Sequence, residues 1–429
     1  MTTTAKSRLS RKAVLLLGAA VLALAPVTAA CATASADTSV DSGADSSGAD
    51  RHQNQNPLLA ARHLTTLSQQ DVVAALRTAQ FDPGVAKYGV DTYQLVYRTS
   101  DERGQSTVAS GLLVLPANGE RELRPVSFTH GTTSYKFDAP SMKQPSDFAV
   151  APVLSYGAAG FAAVAPDYLG LGISPGPHPW MDVPTETTAS LDMLRAARGF
   201  VTGQGRKLDR EVMVTGFSQG ASAALGLARD LQAGRAPEFR LGALAPVSGA
   251  YDFQHAELPA LLNGELEPKS SALYAAYLLV SWNRLHHLYD SPSEMFQAPY
   301  DATIEHLFDS TAPGRDLMTG TPARVDQLLT PRALELLRNP DGPLAAALRV
   351  SDSVCTDWAP RVPTRLYVMA GDEQAVDTNT EHCRSGLRAN GVDPQVVTVG
   401  PGEYQGSRHL GSNALATPSI VEWFVQLAG

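Results

Sequence analysis

Two stretches of the chain place a serine between two glycines in the G-x-S-x-G pattern that surrounds many nucleophilic serines. One is "GFSQG", from Gly216 to Gly220, and the other is "GISPG", from Gly172 to Gly176. A serine hydroxyl becomes a nucleophile when a neighbouring base takes its proton, and it can then attack a carbonyl carbon. The elements on either side of each serine decide which of the two could do this.

The surroundings of the two serines differ. A nucleophilic serine of this kind sits on a strained turn between an entering strand and a departing helix. "EVMVTGFSQGASAALGLARDL" supplies a β-type run before Ser218 and an Ala- and Leu-rich helical run after it. Ser174 is followed by Pro175, Pro177 and Pro179, which prevent a helix from forming there. Ser218 is therefore the candidate nucleophile, and Ser174 is assigned to a loop.

Two histidines are candidates for the base, because in enzymes with such a turn the chain order is Ser, acid, His. Both follow the predicted strand "TRLYVMAGD". His382 lies in the amphipathic helical stretch "TNTEHCRSGLRANG" and is interpreted as a surface or packing residue. His409 lies in a Gly- and Ser-rich loop before the closing helix "PSIVEWFVQLA", and it is the predicted base. His130 precedes Ser218 and is assigned to packing within its own loop.

The base needs a carboxylate that holds its tautomer and stabilises the imidazolium. The strand "TRLYVMAG" ends at Asp372, which is the preferred acid because the first residues past the strand reach the histidine loop most directly. Glu373 and Asp377 are the competitors.

Acyl transfer through a serine also needs backbone N–H donors for the tetrahedral oxyanion. One is expected from Gln219, directly after the nucleophile. The second is expected from "HGTTS", where Thr132 is preferred and Thr133 is the alternative. This chemistry requires no metal ion and no cofactor, and none is predicted.

The elements that must position these residues follow from the periodicity. "VDTYQLVYRTS" and "STVASGLLVLP" alternate on either side of a turn, which predicts an antiparallel hairpin. Short apolar runs then alternate with helical stretches, as is typical of buried parallel strands with crossover helices. These runs begin at Pro125, Gly160, Glu211, Leu241, Thr364 and Pro394. The sequence predicts an α/β fold with a mostly parallel, doubly wound sheet.

The interval between Gly249 and Thr364 lacks strand signals. It contains helical stretches such as Ser270 to Tyr289 and Thr330 to Asn339, and it is predicted to form a helical cap over the site.

The first residues predict export. "KSRLSRK" is a charged segment, and "AVLLLGAAVLALA" is an apolar run too short for a membrane span. "TAAC" resembles a lipoprotein signal that would place lipid on Cys31, whereas "ASA" at Ala34 to Ala36 fits ordinary cleavage and secretion. The polar segment that follows is typical of a disordered tether, which favours an anchor on the outer face of the cell membrane.

Composition excludes one class of partner and predicts a disulfide. The net charge of −9 excludes nucleic acid, which needs a basic surface. Cys355 and Cys383 remain after Cys31, and an even pair in an oxidising compartment predicts one disulfide, with two buried thiols as the alternative.

A monomer is assumed. The predicted domains are an export signal (1–36), a polar tether (37–57), the first part of the core (58–250), the cap (251–360) and the second part of the core (361–429).

The motifs "THGTTS", "VAPDYLGLG", "GFSQGASAAL", "GDEQ…NTEHC" and "RHLGS…EWF", in this order, resemble the α/β-hydrolase superfamily, in particular the secreted lipase-like esterases of bacteria and fungi. The resemblance runs from about Leu58 to the C-terminus. It implies an α/β-hydrolase fold with an N-terminal antiparallel hairpin and an inserted helical cap. It also implies Ser218, Asp372 and His409 as a catalytic triad, and a small-molecule or lipid ester as substrate.

The resemblance further implies that Tyr168 in "PDYLGLG" lines the pocket beside the oxyanion loop. Tyr277 and Trp282 are pocket candidates from the apolar cap, which also includes Tyr274 and Leu278. One departure from the family is that the preferred acid directly follows Gly371, whereas many relatives place it a few residues further on. This keeps Glu373 open as the acid.

An exported peptidase or amidase is the alternative function, because the same triad cleaves amides. The apolar cap favours acyl or aromatic groups, whereas a charged amino terminus would need acidic residues, for which the cap offers Glu265, Glu267 and Glu294. A binding protein without turnover is a third interpretation, and the complete Ser, Asp and His set speaks against it.

Overall fold

The structure is a computed structural model that describes residues 56–143 and 146–429. The predicted export signal, the lipidation site at Cys31 and nearly all of the tether lie outside the described residues. None of the helices in the described part is both long and apolar enough to cross a membrane.

A nine-stranded sheet lies at the centre of the fold. The strands of the described residues are β1 Leu58–Leu67, β2 Val90–Ser100, β3 Ser106–Pro116, β4 Glu122–Leu123, β5 Pro125–Thr129, β6 Ala162–Pro166, β7 Lys207–Leu208, β8 Glu211–Phe217, β9 Arg240–Val247, β10 Arg365–Val368 and β11 Gln395–Thr398. The order in the large sheet is β1-β2-β3-β6-β5-β8-β9-β10-β11, and β4 pairs with β7 separately. All pairings from β6 to β11 are parallel, so the predicted, mostly parallel α/β architecture is confirmed.

The antiparallel part of the sheet begins with the predicted hairpin. β2 and β3 pair along their whole length, from Val90 opposite Pro116 to Ser100 opposite Ser106. The edge strand β1, which pairs antiparallel with β2, was not predicted. Most of its residues are exposed and its register shifts twice, so its sequence carries no regular apolar alternation.

Helices cover both faces of the sheet. In chain order the α-helices of the described residues are α1 Gln69–Thr78, α2 Asp147–Ala158, α3 Val183–Gly203, α4 Gln219–Gln232, α5 Leu258–Asn263, α6 Pro268–His286, α7 Ile304–Leu307, α8 Gly314–Gly320, α9 Val325–Leu328, α10 Pro331–Arg338, α11 Gly342–Ser351, α12 Thr378–Ala389 and α13 Arg408–Ala428. Buried side chains of α1, α2 and α13 share one apolar core, and those of α3, α4 and α12 share the other. The sheet is therefore doubly wound, as predicted.

The chain between β9 and β10, which we call the cap segment (residues 251–360), is helical where the sequence predicted helices. Its buried side chains form a third apolar cluster around α6. This helix begins at Pro268, because Glu267 accepts the free N–H groups of Lys269 and Ser270. It ends at His287, which adopts a left-handed conformation.

A disulfide joins Cys355, at the end of the cap segment, to Cys383 in α12. The two Cα atoms lie 4.9 Å apart and both side chains are buried. The predicted pairing is therefore present in the structure, and it ties the chain before β10 to the helix after it.

Removing this bridge should destabilise the fold. In the double variant Cys355→Ala, Cys383→Ala, the free energy of unfolding should fall by about 2–4 kcal/mol, because the bridge closes a loop across a sequence separation of 28 residues. Urea unfolding of the oxidised wild type and the double variant measures the difference. Reduced wild type is the control and should lose a similar amount. An unchanged unfolding midpoint would contradict this role.

Candidate active site

Ser218 lies on the turn between β8 and α4, with φ 55° and ψ −122°. A residue with a side chain rarely adopts a positive φ, so the turn is strained. It can form because Gly216 and Gly220 have no Cβ. A Cβ on Gly216 would lie 2.1 Å from the carbonyl oxygen of Gly220, and one on Gly220 would lie 2.0 Å from that of Thr129. The hydroxyl of Ser218 does not cap α4, which leaves it available to other partners.

The three predicted triad residues lie in one hydrogen-bonded row. Ser218 Oγ is 2.8 Å from His409 Nε2. His409 Nδ1 is 2.8 Å from Oδ2 and 3.0 Å from Oδ1 of Asp372. The N–H groups of Gln374 and Ala375 each donate to Asp372 Oδ1 over 2.9 Å. These two N–H groups thus hold the carboxylate in place beside the imidazole.

The two competing carboxylates have other partners. Glu373 accepts the backbone N–H groups of Arg408 (3.1 Å) and His409 (3.4 Å) at the start of α13. Asp377 Oδ2 accepts the N–H of Gly371 over 2.9 Å. Neither carboxylate hydrogen bonds to an imidazole nitrogen of His409. Glu373 therefore holds the backbone at the start of α13, whereas Asp372 orients the imidazole of His409.

The predicted loop around His409 is instead the first turn of α13. This helix begins at Arg408 and continues through Pro418, where the closing helix was expected to start. Ser407 caps it by accepting the N–H of Leu410. The loop prediction was wrong because the cap and the contact from Glu373 stabilise a turn that looked irregular in sequence.

Opposing effects act on the pKa of His409. Burial on its own lowers this pKa, but the charge of Asp372 and its hydrogen bond raise it, with further help from Glu373 and Glu257. The pKa therefore lies above the ordinary value. His130, by contrast, is buried with Nδ1 2.8 Å from the carbonyl oxygen of Gly131, and burial lowers its pKa to about 4.

Backbone N–H groups beside Ser218 are free to bind an oxyanion. Those of Gln219, Thr132 and Thr133 donate to no acceptor in the described part of the chain. Thr132 lines the same pocket as Ser218 and Gln219, whereas Thr133 does not and its carbonyl accepts the hydroxyl of Tyr277. Gln219 begins α4, where the helix dipole favours negative charge.

A narrow pocket lies beside Ser218. Most of its wall is apolar, contributed by Trp180, Met181, Ala250, Phe253, Leu258, Leu261, Tyr274, Ala275, Leu278 and Ala375. The polar groups in the wall are Thr132, Ser218, Gln219, Glu257 and Gln374. No cluster of three or more His, Cys, Asp or Glu side chains that could hold a metal ion occurs within residues 56–143 and 146–429.

Comparisons with known proteins agree with this geometry. Residues 138–252 match the family described as Secretory lipase. The rice cell wall degrading esterase LipA from Xanthomonas oryzae is 26% identical, with a TM-score of 0.73 over 86% of this chain and 97% of that one. The chain has the α/β-hydrolase fold and is similar to lipase-like members of that superfamily.

Two further solved structures share the fold of this hydrolase. A Legionella pneumophila protein described as a hydrolase is 22% identical, with a TM-score of 0.77 over 86% of this chain and 98% of that one. Candida antarctica lipase A is 15% identical, with a TM-score of 0.57 over 80% of this chain and 75% of that one. No curated protein sequence matches the chain significantly.

The three aromatic residues predicted to line the pocket of this hydrolase lie behind its wall. Tyr168 is buried and donates its hydroxyl to the carbonyl of His130 over 3.0 Å. Tyr277 stacks on Trp180 with ring centroids 4.8 Å apart, and Trp282 Nε1 donates to the carbonyl of Trp180 over 2.9 Å. Of the four apolar cap residues named from the sequence, Tyr274 and Leu278 line the pocket, together with Ala275 of the same helix, α6.

Trp180 is a site residue that sequence reasoning missed. It follows the loop that contains Ser174, whose side chain is buried. Its indole Nε1 donates to Thr132 Oγ1 over 2.9 Å, and its ring stacks on Tyr274 as well as Tyr277. The "GISPG" loop is thus followed by an indole that contacts both Thr132 and helix α6 of the cap segment.

A second missed group is a buried network behind the nucleophile. The side-chain Nε2 of Gln219 is 2.6 Å from Glu186 Oε1 and 2.7 Å from His178 Nε2. Glu186 Oε1 also accepts the N–H of Met181, and His178 Nδ1 donates to the carbonyl of Leu169. No local motif marks these residues. The network fixes the side chain of Gln219, the residue predicted to donate its N–H to the oxyanion.

This network should give stability a distinct pH dependence. Burial raises the pKa of Glu186 from 4.5 to about 8, so the folded protein keeps a proton that the unfolded chain releases. The contribution of Glu186 to stability therefore falls as pH rises through this window. Glu186→Gln removes this titration. The free energy of unfolding of the variant minus that of the wild type should therefore rise by about 1.4 kcal/mol per pH unit between the unfolded and folded pKa values of Glu186.

Urea unfolding at pH 5, 6, 7 and 8 tests this dependence. Glu265→Gln, which changes an exposed carboxylate of the cap segment, is the control and should follow the wild-type profile. Parallel profiles for Glu186→Gln and wild type would show that Glu186 does not hold a proton in the folded state.

Proposed function

We propose that the protein is a serine hydrolase that cleaves carboxylic esters through Ser218, His409 and Asp372. The observation that carries this proposal is the row of hydrogen bonds from Ser218 Oγ through His409 to Asp372, each 2.8 Å long, at the base of an apolar pocket. In this arrangement a neutral imidazole can remove the proton of the serine while the carboxylate stabilises the resulting imidazolium.

The reaction has two halves. His409 Nε2 takes the proton of Ser218 Oγ as the oxygen bonds to the carbonyl carbon, and the oxyanion is held by the N–H groups of Gln219 and Thr132. The C–O bond to the leaving alcohol then breaks, and His409 returns the proton to that alcohol. Water attacks the acyl-enzyme with the same imidazole as base, which releases the acid and restores the serine.

The pocket wall favours esters over peptides. Three carboxylates of the cap segment could have bound the amino terminus of a peptide, but each of them lies outside the pocket. Glu265 is exposed, Glu267 caps α6, and Glu294 pairs with Arg332. None of the three lines the pocket, and the carboxyl group of the cap segment that does, Glu257, is already held by Asn379 and Val376. The names of the similar proteins, a cell wall degrading esterase and a lipase, support the same preference.

Export is also proposed. The charged and apolar N-terminal segments and the family description, Secretory lipase, support it. Attachment of lipid to Cys31 is proposed from "TAAC" alone. The substrate on this view is a small-molecule or lipid ester met outside the cytoplasm.

Substitution of the acid tests the proposal. In Asp372→Asn the side chain can still accept the N–H groups of Gln374 and Ala375, so the fold should persist. The imidazole would lose its tautomer control and its charge partner, and kcat should fall roughly 10⁴-fold. The assay is hydrolysis of p-nitrophenyl esters of increasing chain length, beside aminoacyl-nitroanilides.

The competing carboxylates supply the comparison. Glu373→Gln and Asp377→Asn should lose far less activity than Asp372→Asn, because neither touches the imidazole. Near-normal turnover by Asp372→Asn together with a large loss in Glu373→Gln would transfer the role to Glu373. Faster cleavage of anilides than of esters by the wild type would overturn the esterase assignment in favour of an amidase.

A further inference from the structure

Glu257 places a carboxyl group in the wall of the pocket above Ser218. It lies at the end of a single π-helical turn, Phe253–Glu257, where the cap segment leaves the core. The residue is 3% exposed, and its neighbours in the pocket wall include Leu258 and Leu261. A buried carboxyl group in such a wall is costly unless it has hydrogen-bond partners.

The two oxygens of Glu257 have different surroundings. Oε2 accepts the side-chain amide of Asn379 over 2.6 Å and the N–H of Val376 over 3.2 Å. No group within the described residues donates to Oε1. This oxygen is not fully enclosed by the protein. The protein therefore fixes one oxygen and supplies no donor to the other, in a side chain that lines the pocket.

In the proposed mechanism this carboxyl group transfers no proton, and it acts on His409 only as a minor contribution to its raised pKa. Its hydrogen bonds go to Asn379 and Val376, and none goes to a residue of the triad. Burial raises its pKa to about 8, with a smaller contribution from the charge of Asp372. Because both observed donors point at Oε2, the proton of the neutral form lies on Oε1, and a donor bound there favours the ionised carboxylate. A substrate group that donates a hydrogen bond to Oε1 would supply the missing partner.

We propose that Glu257 is a specificity-determining residue that selects esters whose buried part carries a hydrogen-bond donor, a hydroxyl or an ammonium group, over plain alkyl esters of the same length. The proposal rests on the esterase function and names its substrate class. Sites built to hydrogen bond a substrate discriminate strongly against analogues that lack the group, because the buried protein partner is then left unpaired.

The test compares p-nitrophenyl butyrate with its 3-hydroxy and 3-amino derivatives. For the wild type, kcat/KM of the preferred derivative should exceed that of the plain ester by about tenfold or more. A preference for the hydroxyl derivative identifies a hydroxylated substrate, and a preference for the amino derivative identifies an ammonium group. In Glu257→Leu the ratio should fall to about one, because no acceptor remains.

Two further variants separate selection from damage to the fold. Glu257→Gln keeps the size of the side chain and a polar end, so a hydroxyl preference should persist while an amino preference should be lost. Glu265→Gln, outside the pocket, should keep the wild-type ratio. A general loss of activity from loosening the loop at Val376 affects all three substrates equally and cancels in the ratio.

Each result decides the matter. A wild type without preference for either derivative, or an unchanged ratio in Glu257→Leu, would overturn the proposal and leave Glu257 as a contact that holds Asn379. If Glu257→Leu does not fold, Glu257→Gln decides. An unchanged preference for the amino ester in Glu257→Gln would overturn selection of an ammonium group. Loss of a preference for the hydroxyl ester in this variant would overturn selection of a hydroxyl group. A wild type that hydrolyses none of the three esters would instead refute the esterase function itself.

Discussion

The close packing of the start of α4 against the end of β5 determines the geometry of the whole site. Gly220 approaches the carbonyl of Thr129 so closely that no side chain fits between them. This contact lets β8 pass directly into a helix, holds Ser218 at a positive φ and brings the free N–H of Gln219 beside it. Because β5, β8, β9, β10 and β11 are parallel, the loops that follow them meet at one sheet edge. In turn, those loops carry Thr132, Ser218, the cap segment, Asp372 and His409.

The cap segment is joined to this edge by a few polar contacts as well as by apolar packing. Tyr274 donates its hydroxyl to Gln374 over 2.7 Å, next to the acid. Trp180 links the oxyanion loop to α6, and Glu257 reaches Asn379 in α12. The pocket wall and the catalytic row therefore share supporting residues, so a change in the cap can alter both substrate choice and the alignment of the base.

Local signals in the sequence predicted much of this arrangement. The apolar runs located six parallel strands, and the glycine pattern with its flanking elements distinguished Ser218 from Ser174. Residues that act through distant partners carried no such signal: Glu186 contacts a side chain 33 residues away and Glu257 one 122 residues away. The start of α13 was missed because a capping contact from another loop decides it. The apolar cap residues of α6 were named from the sequence, but the packing of the cap decides which of them reach the pocket.

The central claim is that Ser218 is an activated nucleophile. The most direct measurement is labelling of the folded protein with a fluorophosphonate, followed by peptide mapping by mass spectrometry. We predict a single adduct on Ser218, its absence in Ser218→Ala, and an unchanged adduct in Ser174→Ala, where the other G-x-S-x-G serine is removed. An adduct on Ser174, or no adduct on any serine of the folded wild type, would contradict the account.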